Sequence, residues 1–362
     1  MRRFGLVLGI ASLLLLSPRR CSGLADDPTV KGKTAAEWRQ VLEKDPNADQ
    51  RRGALLALSI LGPKVAGVVR GVSVGLKDAD ASVRESAAQT LGEMAPEATD
   101  GLKALAAAVE SDKGDKVREA AARALGRFGP AAKTSVSSLA GALKDKHAGT
   151  RAAAAEALGK IGPEARDALP NLVSTLKDSD RFVRGYAAYA LGQLGAEGRA
   201  AVPRLAEILA KDPAYQVRRS AAAALGQLRS HAQSAAPALG EALKDKQLEV
   251  RRAAAEALGK IGPGAKDALK SLTAALKDQD QLVRSLCIQA IGGLGKDAQP
   301  AVPALIECLS DDAVEVRVTA ASELGHLGAV AKTALPALER VEKGDRRAAV
   351  REAASEAIMK IR

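Results

Sequence analysis

One arginine recurs along this chain at nearly constant spacing, and that recurrence restricts the fold more than any other feature. It stands at Arg51, Arg84, Arg118, Arg151, Arg184, Arg218, Arg251, Arg284, Arg317 and Arg351, with every interval 33 or 34 residues. Val precedes it in eight of the ten copies, and an Asp stands six residues before it in all ten: Asp45, Asp78, Asp112, Asp145, Asp178, Asp212, Asp245, Asp278, Asp311 and Asp345. Eight residues after the Arg comes Gly in the inner copies, from Gly92 to Gly325, whereas the first and last copies have Ser59 and Met359 and read as caps. A period of this length marks an array of small units, each touching only its neighbours.

Each unit reads as two helices, as Gly162 to Gly195 shows. Pro163 is placed at the start of the first helix, where a missing N–H costs nothing, and Leu169, Leu172, Val173 and Leu176 recur at helical spacing. After a polar break, Asp180 can cap a second helix over Val183 to Leu194, with Ala187, Ala190, Leu191 and Leu194 as its apolar stripe. Gly195 suits the left-handed stop. Gly192 lies mid-helix, where glycine costs about 1 kcal/mol relative to alanine, so its recurrence implies a close crossing with the next unit. A lone hairpin cannot bury its apolar face; the units must stack into one curved rod.

These residues carry a family likeness. Val250 to Gly262, VRRAAAEALGKIG, followed by Pro263, resembles the HEAT repeats of the phycobilisome-lyase type, and the resemblance runs from Lys31 to the C-terminus. It implies an all-α, right-handed α-α superhelix whose second helices line the concave face. It also implies that Asp178 and Arg184, with their counterparts, form a structural ladder of hydrogen bonds between repeats. On that reading, Asp178→Ala strands Arg184 at a cost of about 3 to 5 kcal/mol, against under about 1 for an exposed pair.

The first 25 residues are read as a leader. Arg2 and Arg3 precede an uncharged, mostly apolar run from Phe4 to Leu16, too short at 13 residues for the roughly 20 that span a bilayer. Gly23 and Ala25 supply small residues for cleavage before Asp26, so export, periplasmic or secreted, is expected. The leader holds four Arg and no acid, so its removal takes the formal charge from +11 to +7. Cys287 and Cys308 remain, too few for a disulfide framework; buried free thiols are expected, with a bridge between adjacent repeats as the alternative.

Enzymatic chemistry finds little support. His147, His231 and His326 fall in different repeats at different phases, without metal-ligand spacing. The pairs Asp78/Asp80, Asp178/Asp180 and Asp278/Asp280 lack the later ligands of a calcium loop and suit helix caps. No cofactor or metal is expected. Repeat likeness to bilin lyases carries no active site by itself, and a bilin-lyase-like accessory role stays an alternative.

Positions one, five and nine after the repeated Arg should face the groove. There Arg52, Arg123, Arg127, Lys160, Arg219, Arg252 and Lys260 are offset by Glu85, Glu93, Glu119, Glu156, Glu256, Glu352 and Glu356. A mixed groove suits protein better than a polyanion, so nucleic-acid binding is the lesser alternative. Aromatic residues make up 2% of the chain, and Trp38 and Phe128 read as packing residues. The remaining four of the chain after cleavage cluster: Phe182 and Tyr215 in turns, Tyr186 and Tyr189 without evident core duty. With Arg219 and Arg252 they form the predicted binding patch, since hot spots favour Tyr, Trp and Arg. The chain is thus expected to be a monomeric, non-catalytic protein-binding scaffold with no transmembrane segment after cleavage.

Overall fold

The computed structural model describes residues 27–362, so the leader over 1–25 lies outside the described residues. Twenty α-helices form ten consecutive pairs, from Ala35–Lys44 with Ala48–Leu61 to Leu335–Gly344 with Ala348–Ile361. The chain is an all-α solenoid. One apolar cluster runs its whole length, from Ala35 to Ile361.

Repeat five shows how local sequence sets each unit. Its first helix begins in two steps, a 3-10 turn over Gly162–Ala168 and then an α-helix over Leu169–Thr175. Pro163 therefore opens the 3-10 turn, not the α-helix; Pro170 takes the first α-helical turn, where it forfeits no bond. The second helix spans Arg181–Gln193, starting earlier than Val183 because the Asp180 carboxylate accepts the N–H groups of Phe182 at 2.7 Å and Val183 at 3.1 Å. Phe182 therefore sits in a helix rather than a turn, and so does Tyr215, the first residue of the helix Tyr215–Gln227. Gly195 ends the unit at φ +62°. Leu172, Leu176, Ala187, Ala190, Leu191 and Leu194 are buried, with Leu169 and Val173 packed against them.

The repeated glycines, which lie in the last turn of their helices rather than mid-helix, have a steric cause. A Cβ added at Gly92, Gly126, Gly192, Gly226 or Gly325 would come within 2.7 to 3.0 Å of the Cα of Ala124, Ala157, Ala224, Ala257 or Ala357 on the next second helix. Backbone meets backbone there, so any side chain would force the helices apart. At Gly159 the same space also holds the Tyr189 ring, and at Gly292 it holds the Glu323 side chain. Gly259 is looser, its Cβ position 4.0 Å from Ala290 Cβ. Second helices pack on one another more extensively than first helices do, which fits the family resemblance's expectation that their row is the inner surface.

The repeated Asp and Arg form a chain of paired charges whose connectivity differs from the expectation. Each of the first nine Arg sends Nε and Nη2 forward to both carboxylate oxygens of the Asp in the following repeat, at 2.6 to 2.8 Å and 2.7 to 3.3 Å, while Arg351 in the last repeat keeps only its bond to the Asp345 carbonyl. The links are Arg51–Asp78, Arg84–Asp112, Arg118–Asp145, Arg151–Asp178, Arg184–Asp212, Arg218–Asp245, Arg251–Asp278, Arg284–Asp311 and Arg317–Asp345. To its own repeat the Arg gives only Nη1, which donates to the backbone carbonyl of the Asp six residues earlier, as Arg184 does to Asp178 at 2.8 Å. The Asp178 carboxylate therefore serves Arg151, and Asp178→Ala strands Arg151, not Arg184. Each of these Asp residues also accepts the N–H two residues on, as Asp178 does from Asp180 at 2.9 Å, so both partners are hydrogen-bonded throughout.

Candidate binding groove

On a helix of 3.6 residues per turn, positions two before and one, five and nine after the ladder Arg share one face, and on the second helices that face lines the groove. Many of its charges are paired within the chain, although Arg127, Glu85, Glu93, Glu352 and Glu356 form no ion pair among the described residues. Arg123 bridges Glu119 at 3.0 Å and Glu156 at 3.4 Å; Lys160 holds Glu156 and Lys260 holds Glu256, each at 2.7 Å; Arg52 pairs with Asp49. Although burial pushes the Glu119 carboxyl up, Arg123 and Lys116 outweigh it and hold its pKa below the usual range. Arg252, expected as a binding residue, is engaged: its guanidinium forks onto the Asp280 carboxylate at 3.0 and 2.6 Å.

Repeats five and six depart from this pattern, as does repeat eight, whose groove positions Leu282, Ser285, Gln289 and Gly293 carry no charge. Those of repeats five and six are Phe182, Gly185, Tyr189 and Gln193, then Gln216, Arg219, Ala223 and Gln227, with no carboxylate among them. Phe182 is 57% exposed and Tyr189 37%. The Tyr189 ring lies across Gly159 of the preceding repeat, and Arg181 sits 4.9 Å from the Phe182 ring centroid in cation–π contact. Arg219 is exposed and forms no ion pair or side-chain hydrogen bond within the described residues. The structure therefore brings Phe182, Tyr189 and Arg219 together on the inner row. Tyr186 and Tyr215 are corrections to the sequence reading: both are half-buried and packed against the core.

Three groove residues escaped the sequence reading. Leu56 and Ile60, five and nine residues after Arg51, are 64% and 55% exposed, and Leu282 is 45% exposed. The same phase arithmetic finds them once apolar residues are counted alongside charges and aromatics. The fold also carries His147 to within 3.7 Å of Asp115 and 3.8 Å of Glu119, a contact between repeats that local spacing does not reveal. Among the described residues, no group of three or more His, Cys, Asp or Glu is placed to hold a metal ion, and no helix is long and apolar enough to cross a membrane. Cys287 and Cys308 are buried free thiols. Burial pushes their pKa values up to about 12 and about 11, which keeps them protonated and poor nucleophiles.

Comparison with known proteins gives the following. The profile of the HEAT repeats family matches residues 35–126, 69–159, 102–192, 136–226, 202–292 and 269–359. No curated protein matches the chain. The crystal structure of an engineered protein is similar at TM-score 0.60 and 22% identity, over 90% of this chain and 98% of that one. Kap95 in the Kap95:Nup1 complex is similar at TM-score 0.61 and 14% identity; 90% of this chain aligns, spanning about half (51%) of the Kap95 chain. The complex of CpcE and CpcF of phycocyanin lyase from Nostoc sp. PCC7120 matches at 25% identity, over 65% of this chain and 92% of that one, with a TM-score of 0.42. At these identities the first two likenesses concern the fold alone.

Proposed function

The chain belongs to the HEAT-repeat family, and on that premise we propose that it is a non-catalytic scaffold that binds a protein partner in its inner groove. One observation carries this reading: Arg52, Arg123, Lys160, Arg252 and Lys260 are held by acids of the chain, whereas repeats five and six, with no carboxylate at their groove positions, expose Phe182 and Tyr189. Paired cations have little left to offer a polyanion, whose binding depends on replacing counterions with free Lys and Arg. Exposed aromatics bracketed by neutralised charge suit a protein surface, where rigid rings supply contact area at low entropic cost. Export belongs to this reading, supported by the leader-like layout of the first 25 residues.

Affinity capture from the exported fraction tests the proposal, with wild type beside a Phe182→Ser, Tyr189→Ser double variant. Wild type is expected to recover one protein in fixed ratio, and the double variant to hold it at least about thirtyfold more weakly, equivalent to about 2 kcal/mol, with little change in melting temperature. Full binding by a double variant that has lost stability would make these rings packing residues and move the site elsewhere.

A further inference from the structure

Gly185 stands in the middle of the second helix of repeat five, where glycine costs about 1 kcal/mol relative to alanine. Unlike Gly192, it has no steric excuse. A Cβ built at Gly185 would meet nothing nearer than Ser220 Oγ at 3.7 Å, an ordinary contact. Neither does its backbone need glycine, since it lies in regular helix. What the missing side chain does is open a notch. Phe182 lies one turn before it and Tyr189 one turn after it, both exposed on the same face, with Ser220 on the adjoining helix.

The charge around the notch is one-sided. No carboxylate occupies the groove positions of repeats five and six; Arg219, next to Ser220, has no ion pair among the described residues, and Arg181 lies over Phe182. Elsewhere Arg52, Arg123, Lys160, Arg252 and Lys260 are held by acids of the chain itself; Arg127, in repeat three, is the other groove arginine without an ion pair among the described residues, and no exposed aromatic stands beside it. Adjacent packed helices lie about 8 to 10 Å apart, the span of about three residues of extended chain. Resting on the reading of this groove as a protein-binding surface, we propose that it takes an extended, acidic protein segment. An aliphatic side chain enters the Gly185 notch between Phe182 and Tyr189, and an Asp or Glu about three residues away reaches Arg219.

Panning a phage-displayed library of random peptides on the purified protein tests this. Enriched peptides are expected to carry Leu, Ile or Met with Asp or Glu two to four residues away. A synthetic copy of such a peptide should bind Gly185→Leu at least about tenfold more weakly than wild type, although the variant melts no lower, because leucine is the better helix former. Arg219→Glu, an exposed change that leaves packing intact, should weaken the same peptide about tenfold and restore binding of its Asp→Lys counterpart. Failure to enrich, enrichment without acidic residues, or indifference to both variants would overturn the inference. So would retention of a single-stranded DNA oligonucleotide that Arg219→Glu abolishes. If the peptides fail while the Phe182, Tyr189 double variant still releases its captured partner, the acidic chemistry is wrong and the groove reading stands; if that double variant holds its partner, the groove reading falls first.

Discussion

Asp178→Ala is expected to destabilise the protein by about 3 to 5 kcal/mol and to do so at the junction of repeats four and five. The carboxylate takes both Nε and Nη2 of Arg151, at 2.7 and 2.9 Å, and the N–H of Asp180. Its removal leaves a guanidinium that is only 15% exposed without a counter-charge. An exposed pair would cost under about 1 kcal/mol, so the magnitude alone distinguishes a ladder from surface decoration. Because each repeat touches only its neighbours, the damage stays local at first. Amide exchange should accelerate in Ala148–Ile161 and Arg181–Gln193 before it changes in either terminal repeat. Exchange that rises instead between repeats five and six would mean that Asp178 serves Arg184. Acid should act in the same direction: burial pushes the Asp178 carboxyl up, but Arg151 and the Asp180 N–H outweigh it and hold its pKa below the usual value. The stabilisation is therefore full above about pH 4, the unfolded carboxylate value, and is lost as pH falls through the lower folded value. The gap between wild type and Asp178→Ala should close over that window.

Gly192→Ala should destabilise by about 1 to 3 kcal/mol even though alanine is the better helix former by about 1. The added Cβ would sit 2.7 Å from Ala224 Cα and 2.9 Å from its Cβ, so relief requires moving a helix, not a rotamer. Gly185→Ala, about two turns earlier on the same helix, is expected to stabilise by about 0.5 to 1 kcal/mol, since its Cβ has room. Opposite signs in chemical denaturation separate a glycine kept for packing from one kept for a notch. A stabilised Gly192→Ala would dismiss the close crossing.

Much of the fold was legible because periodicity reports which residues a repeat reuses, and Gly192 and Leu191 are fixed by their own helix. The ladder's connectivity was not. Asp178 is six residues from Arg184 and 27 from Arg151, both spacings recur equally, and only the direction of the Arg side chain along the rod selects the second. Arg252 was misread for a related reason, because its acid, Asp280, lies 28 residues later in the next repeat. Tyr186 and Tyr189 differ by three residues, so their directions differ by about 60°, enough to turn one toward the core and leave the other in the groove. Gly185 gave no signal in sequence, since a helical glycine with a steric duty and one without look alike until the neighbouring helix is in place.

The central claim is that the partner lies along the inner row of helices. Photo-cross-linking tests it directly, with a benzoylphenylalanine at Ala223, exposed in the groove of repeat six, and separately at Lys103, exposed on the first helix of repeat three. The account predicts a cross-link to the captured protein from position 223 and none from position 103. Cross-links from 103 with none from 223 would contradict it and put the partner on the outer surface.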